Sequence, residues 1–282
     1  MLPAATTLIR VASRPIESLD LYHVMPGTRA LVVAFEAASA PSSPRTRSAQ
    51  PAWSVEALGE LAHAGRCATI GFVHGRSLGC LPTQLDALDR AHEAGCATAL
   101  HIGAAPSVEE CLALAPRLDA LALEVAPCVA GAPGAEAAHA LRDRLARLRQ
   151  AGVWVEVVTP LPAEVTARDL LDTALSLKAI DGAIPWHVRA VRTLVAHRPR
   201  LAAALVMQAV AAGERAGLEN VYAPEAPSGD REITFCSVCR DVVLIERFLG
   251  QPQSYLADGR RCPRCGTRAH GLFERSAAGA TA

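Results

Sequence analysis

The chain is poor in lysine, in aromatic residues and in net charge, and each shortage narrows the range of functions. Lys178 is its single lysine, aromatic residues make up 4% of the 282 residues, and the formal net charge at pH 7 is zero. A neutral chain has no electrostatic basis for binding nucleic acid or an anionic membrane surface. No apolar run is long enough to span a bilayer, and the first residues lack the continuous apolar core of a secretory signal.

One shortage is local. Residues 31–35 form an apolar run that predicts a buried strand, yet no cysteine, aspartate or histidine occurs between Glu36 and Gln50. A loop after an early strand of an α/β chain is a common place for catalytic residues, because such loops lie at the surface of a rigid scaffold. This loop of Ala, Ser, Pro and Arg contains none of those residue types.

The rest of the chain alternates between two patterns, which predicts a parallel β-sheet whose crossovers are helices. Apolar segments typical of strands lie at 31–35, 67–75, 96–103, 119–127, 153–161, 182–191 and 218–224. Helical spacing is found at 54–65, 81–95, 107–118, 134–152, 166–179 and 201–217. No G-x-G-x-x-G turn indicates a dinucleotide fold, so the alternation favours a closed or partial barrel over an open doubly wound sheet.

Four of the nine cysteines form two Cys-x-x-Cys pairs, Cys236/Cys239 and Cys262/Cys265, with 22 residues between the pairs. Two such knuckles direct four thiolates at one point, which is the tetrahedral sulfur coordination that Zn²⁺ prefers. Four thiolates close the coordination shell, so the spacing predicts a structural zinc ion; iron is the alternative in the same geometry. Free cysteines and a metal site are typical of a reducing compartment, and we expect a cytoplasmic protein.

Several stretches together resemble one enzyme family. They are "PIESLDLYHVMPGT" (15–28), "LDALALEV" (118–125), "AGVWVEVVTPL" (151–161), "IPWHV" (184–188), "AGLENVY" (216–222) and the paired cysteines. In this order they resemble the radical SAM enzymes of the AmmeMemoRadiSam system, which are related to pyruvate formate-lyase activating enzymes. The resemblance implies an α/β fold, a partial (β/α)₆-type TIM-like barrel followed by a small C-terminal zinc ribbon.

The resemblance also implies a division of the chain into four parts. Residues 1–28 would be an N-terminal extension, 29–224 the barrel, 225–275 the zinc ribbon and 276–282 a disordered tail. The family's 4Fe–4S cluster is bound by a Cys-x₃-Cys-x₂-Cys loop after the first strand, and its open iron chelates S-adenosylmethionine. That loop falls at residues 33–50, where the sequence has no cysteine. The cluster and S-adenosylmethionine are therefore predicted to be absent.

The family's other strand-end motifs, which fall near 75–77, 102–103, 124–126 and 192–193, are also missing. The stretches that still resemble the family belong to its strands, its helices and its ribbon. The sequence therefore predicts a degenerate radical SAM-like protein that works as a binding or scaffolding pseudoenzyme. By family association its partners would be Memo-like or AMMECR-like proteins.

A second hypothesis is an enzyme of another kind, since strand ends of a barrel are where active sites are built. The polar residues in question lie at or near the predicted strand ends and are His74, Arg76, His101, Glu124, Glu156 and His187. If they point inward they could bind a metal or a small ligand, and Arg76 would suit an anion. If strand parity turns some of them outward, they are ordinary structural residues. A third hypothesis, nucleic-acid binding by the ribbon, is based only on Arg260, Arg261, Arg264 and Arg268.

Overall fold

The computed structural model describes residues 8–35, 57–74, 81–103, 112–128, 134–226, 229–247 and 252–273. The loop between Glu36 and Gln50 and the tail 276–282 lie outside these ranges, so the expectations about them stay predictions. None of the described helices is both long and apolar enough to cross a membrane.

The main sheet has eight strands in the order in which they occur along the chain. They are β1 (Leu8–Pro15), β2 (Arg29–Phe35), β3 (Cys67–His74), β4 (Ala97–Ile102), β5 (Ala120–Glu124), β6 (Trp154–Leu161), β7 (Trp186–Ala190) and β8 (Val221–Tyr222). Strand β1 is antiparallel to β2, and every later neighbouring pair is parallel. The first described strand thus comes from the predicted N-terminal extension and forms one edge of the sheet.

Helices connect the parallel strands, as the alternating pattern predicts. They are α1 (Ala57–Ala64), α2 (Leu81–Glu93), α3 (Gly134–Gln150), α4 (Ala167–Ile180), α5 (Arg192–His197) and α6 (Pro199–Ala216). Helix α4 starts with a capping box, in which the Thr166 side chain accepts from the Asp169 backbone and the Asp169 carboxylate accepts from the Thr166 backbone. This arrangement satisfies two N–H groups that have no partner inside the helix. The short helix α5 was missed by the sequence analysis.

The outer face of the sheet carries large aliphatic side chains that pack against these helices. Val155, Val157 and Leu161 of β6 alternate toward this side, and Trp186 and Val188 of β7 join the same core. Period-two alternation over a strand turns every second side chain to the same face. This outer layer is the principal hydrophobic core of the protein.

The inner, concave face is lined by much smaller side chains. Ala97 and Ala99 of β4 and Ala120 and Ala122 of β5 are buried there, against apolar residues between β1 and β2. We call residues 16–28 the N-terminal segment. It begins with a 3₁₀-helix, Ile16–Leu19, and its Ile16, Leu19, Leu21 and Val24 are fully or almost fully buried. The small strand residues leave room for this segment, which fills the concave face.

Gly71 of β3 shows how close the packing is. A methyl group added at Gly71 would overlap with Cδ1 of Leu19, so the glycine allows the N-terminal segment to approach the strand backbone. The order of the strands and their parallel pairing confirm the predicted partial TIM-like barrel. Among the described residues, β8 does not pair with β1, and the barrel is open along that side.

A small three-stranded sheet follows the barrel and confirms the predicted ribbon. It consists of β9 (Thr234–Phe235), β10 (Val243–Glu246) and β11 (Gln253–Ser254), with β10 in the centre. Leu244 and Ile245 are buried beside Cys236 and Cys262 in its core. A bridge between Leu272 and Val24 joins the ribbon to the N-terminal segment.

Candidate functional site

The carboxylate of Glu156 lies at the centre of the concave face and is fully buried. It accepts hydrogen bonds from the backbone N–H groups of Tyr22 (3.0 Å) and His23 (2.8 Å). The Trp154 indole donates to it at 3.1 Å, and Nε2 of His187 lies 2.7 Å from Oε2. Glu156 therefore binds the N-terminal segment to the sheet and also contacts Trp154 and His187.

These bonds keep the Glu156 carboxylate ionised. Burial alone would raise the pKa of Glu156, but the hydrogen bond and charge of His187, with the Tyr22 backbone N–H, lower it below its ordinary value. Because an ionised carboxylate only accepts, the proton between the two side chains is carried by Nε2 of His187. This arrangement stabilises structure and leaves no exposed acid or base.

A second buried chain of hydrogen bonds connects the N-terminal segment to the ribbon. Nδ1 of His23 lies 2.5 Å from the His270 carbonyl oxygen, and Nε2 lies 2.6 Å from the Tyr222 hydroxyl. The Tyr222 hydroxyl is 2.7 Å from Oγ1 of Thr234, to which Arg247 donates at 2.9 Å. A neutral imidazole with its proton on Nδ1 satisfies both contacts of His23. Burial agrees with this state, since it lowers the pKa of His23 to about 4.

The rim of the concave face carries a different cluster, at the carboxyl ends of the central strands. Nε2 of His101 lies 3.6 Å from Asp20 and 3.8 Å from Glu124. Arg189 forms an ion pair with Asp20 at 2.5 Å. The Asp20 side chain is 2% exposed, whereas those of His101, Glu124 and Arg189 are 17%, 31% and 36% exposed. This cluster reaches the surface, and Nε2 of His101 and Nε of Arg189 make no hydrogen bond within the described residues.

Burial lowers the pKa of His101, and the negative charges of Asp20 and Glu124 act in the opposite direction. The imidazole is therefore biased toward its neutral form, in which one ring nitrogen is free to accept a proton or bind a metal. We call Asp20, His101, Glu124 and Arg189 the rim cluster.

The predicted ligand residues thus lie in two places. Glu156 and His187 are together at the buried centre, and His101 and Glu124 are together at the rim. His74 is the last residue of β3 and pairs with Ile102, so the residue opposite His101 is Val73. The side chain of His74 and the whole of Arg76 lie outside the described residues.

Sequence reasoning missed the residues that complete these clusters, which are Asp20, Tyr22, His23, Arg189, Tyr222 and Arg247. Arg189 had a detectable signal, because it lies two residues after His187 and strand alternation places both on one face. Tyr22 and His23 had none, since their common partner Glu156 is more than a hundred residues away in the sequence.

The four cysteines of the ribbon form the one group of three or more potential metal ligands found among the described residues. Their sulfur atoms all lie within 4.8 Å of one another, and the pairs Cys236/Cys265 and Cys239/Cys262 are 3.7 Å and 3.9 Å apart. Zn–S bonds of about 2.3 Å give a tetrahedron whose sulfur atoms are about 3.8 Å apart. The spacing therefore fits a tetrahedrally coordinated ion. A hydrogen bond with Thr267 helps to lower the pKa of Cys265 to about 6.

No family model and no curated protein matches the chain. The solved structures to which it is similar include 3-dehydroquinate dehydratase from Aquifex aeolicus (TM-score 0.35, 13% identity, 61% of this chain and 73% of that one). A xylose isomerase domain protein from Planctomyces limnophilus has a TM-score of 0.37 and 12% identity, over 58% of this chain and 67% of that one. The carboxyl transferase domain of Rhizobium etli pyruvate carboxylase has a TM-score of 0.32 and 13% identity, over 60% of this chain and 23% of that one. The function is therefore argued from the residues of the site.

Proposed function

We propose that the chain is a binding or scaffolding protein built on a partial TIM-like barrel, with a structural zinc ion in its ribbon. The observation that carries this proposal is the filling of the concave face by the N-terminal segment. In barrel enzymes the carboxyl ends of the strands surround the substrate. Here the central carboxylate, Glu156, binds two backbone N–H groups of that segment instead.

We infer further that the protein is a degenerate relative of the radical SAM enzymes of the AmmeMemoRadiSam system. The sequence supports this inference, because the loop that would supply three cluster ligands contains no cysteine between Glu36 and Gln50. A 4Fe–4S cluster needs thiolate ligands, so neither the cluster nor bound S-adenosylmethionine is expected. Its partners would be Memo-like or AMMECR-like proteins, and its compartment the cytoplasm.

Zinc is the ion that best fits the four cysteines. It accepts four thiolates without redox chemistry, and a closed shell of four protein ligands is typical of structural sites. Binding would supply folding free energy on the order of 10 kcal/mol to a ribbon whose buried core is very small.

Anaerobic reconstitution with iron and sulfide tests the proposal. We expect no stoichiometric 4Fe–4S absorbance and no cleavage of S-adenosylmethionine, while elemental analysis finds one zinc ion per chain. Replacement of Cys236 and Cys265 by serine should remove that zinc. A reconstituted cluster that cleaves S-adenosylmethionine would contradict the pseudoenzyme, and co-purification with tagged Memo-like and AMMECR-like proteins tests the partners.

The rim cluster supports a second candidate, an enzyme or ligand-binding protein that uses the barrel mouth. Its specific observation is the buried Asp20 held between Arg189 and His101 beside the half-exposed Glu124. Elemental analysis separates the two candidates. A second metal ion per chain that is lost in a His101→Ala/Glu124→Ala variant would favour the enzyme, whereas zinc in the ribbon alone fits the scaffold.

A further inference from the structure

The ribbon contacts the N-terminal segment through backbone atoms of both. The Met25 N–H donates to the Leu272 carbonyl at 2.7 Å, and the Leu272 N–H donates to the His23 carbonyl at 2.8 Å. Leu272 and Val24 therefore pair as in a parallel sheet. Nδ1 of His23 adds a contact to the carbonyl of His270. Two residues of the ribbon thus hold three consecutive residues of the segment that fills the concave face.

Arg247 makes a second connection. It lies between the two cysteine pairs, is 5% exposed, and donates to the backbone carbonyls of Tyr22 and Glu232 and to Oγ1 of Thr234. Its guanidinium carbon lies 4.4 Å from the centre of the Tyr22 ring, which is a cation–π contact. One buried arginine of the ribbon therefore fixes both the backbone and the ring of Tyr22.

The order of these ribbon residues depends on the cysteine site. The buried core of the ribbon consists of Leu244, Ile245, Cys236 and Cys262, so half of it is potential metal ligands. A core this small supplies too little apolar burial to fold without a metal or another cross-link. Arg247 comes eight residues after Cys239, and Leu272 comes seven residues after Cys265. Loss of the metal would leave both attachment points without a fixed position.

The barrel has a core of its own. The layer between the sheet and its helices contains most of the large buried side chains and includes no residue of the N-terminal segment. Local unfolding of a weakly held unit can therefore occur while this core stays intact.

We propose that the metal of the ribbon controls the N-terminal segment: metal binding holds the segment in the concave face, and metal loss releases it and exposes Glu156 and His187. The proposal rests on metal binding at the four cysteines and goes beyond the scaffolding function. Metal occupancy of the four cysteines thereby decides whether the concave face of the barrel is accessible.

Hydrogen exchange measured by mass spectrometry tests the proposal on the full chain, zinc-loaded and after removal of zinc with a chelator. We expect amide exchange in residues 20–28 to become at least about tenfold faster without zinc, while exchange in β5 and β6 stays the same. Readdition of Zn²⁺ alone should restore protection. A Cys236→Ser/Cys265→Ser variant should behave like the chelated protein, and Cys128→Ser is the matched control that removes a thiol elsewhere. If the double variant does not fold, the chelated wild-type protein answers the same question.

An Arg247→Gln variant separates metal binding from docking. It keeps all four cysteines, so it should retain one zinc ion while exchange in residues 20–28 becomes faster. Zinc content is measured in every sample: absence of zinc in the wild-type protein would contradict the metal site itself. Zinc that binds and leaves exchange in residues 20–28 unchanged on removal would overturn the control of the segment. Exchange that accelerates equally in β5 and β6 would also overturn it, since the metal would then support the whole fold.

Discussion

Glu156 and Glu124 are both carboxylates on the inner face of neighbouring parallel strands, yet their surroundings differ completely. Glu156 pairs with Ala122 of β5, and Glu124, two residues further along that strand, pairs with Val158. At the deeper level the N-terminal segment covers the sheet and Glu156 is fully buried with four donors around it. At the rim Glu124 remains half-buried, with His101 3.8 Å away.

This difference shows that depth along the strand sets the role of a polar residue in the partial barrel. At the centre the chain itself supplies the partners of Glu156, which acts as a structural anchor, although Nδ1 of the buried His187 makes no hydrogen bond among the described residues. The rim differs in exposure: its His101, Glu124 and Arg189 side chains reach the surface, so it is where a ligand would find polar partners. Four predictions test this contrast.

The largest loss in the free energy of unfolding is expected for Glu156→Ala. The change leaves two backbone N–H groups, the Trp154 indole and His187 without the fully buried acceptor that they share. Removing one partner of such a buried network costs about 3–5 kcal/mol of the free energy of unfolding. Urea unfolding with unchanged zinc content measures the loss. Glu156→Gln keeps one acceptor and should lose less, and a loss below about 1 kcal/mol for the alanine variant would contradict the anchoring role.

The second effect is acid destabilisation through His23. Its pKa is about 4 in the folded protein, below the ordinary value of 6.5, because burial disfavours the charged form. The unfolded chain therefore takes up the proton first, so stability falls as the pH drops from about 6.5 to 4, by about 3 kcal/mol in total. Glu156 has a lowered pKa and adds to the loss in acid.

Urea unfolding at several pH values measures this slope. Protonation of the cysteines also weakens metal binding in acid, so the comparison is made between the wild-type protein and His23→Gln, which lacks the titrating imidazole. The variant should show a shallower decline between pH 6.5 and 4. Equal slopes in the two proteins would contradict a neutral, buried His23.

The third effect concerns the small residues of the concave face. Ala122 is fully buried under the N-terminal segment, so Ala122→Leu should push the segment away and cost about 1–3 kcal/mol by overpacking. Exchange in residues 20–28 should become faster in this variant, with the outer core preserved. Unchanged stability and exchange would mean that the concave face has spare volume. Ala68→Ser adds only a hydroxyl on a partly buried residue of the same layer and serves as the control.

The sequence predicted the scaffold well because its signals are local. The β-branched alternation of residues 153–161 corresponds to β6 within one residue, and the spacing of the cysteines predicted the cluster that the structure brings together. The filled concave face could not be predicted, because residues 16–25 follow neither helical nor strand periodicity. The partner of Tyr22 and His23 is Glu156, which only the fold brings near them. Arg247 donates to the Tyr22 backbone carbonyl, a partner that likewise only the fold brings near it.

The smallest effect is expected at the rim, for Glu124→Gln. Glu124 is half-buried and its contact with His101 is a long 3.8 Å, so the stability should change by less than about 0.5 kcal/mol.

The variant should instead change the titration of His101. The negative charge of Glu124 raises the pKa of that imidazole against the larger effect of burial, so its removal lowers the pKa further. Asp20 is the stronger of the two charges, and Asp20→Asn should lower the pKa more, whereas the charge of Arg189 already acts to lower it. Titration of the His101 ring by NMR measures both shifts. A shift to higher pKa in either variant would contradict these charge effects. A stability loss as large as that of Glu156→Ala would show that Glu124 anchors the fold as Glu156 does.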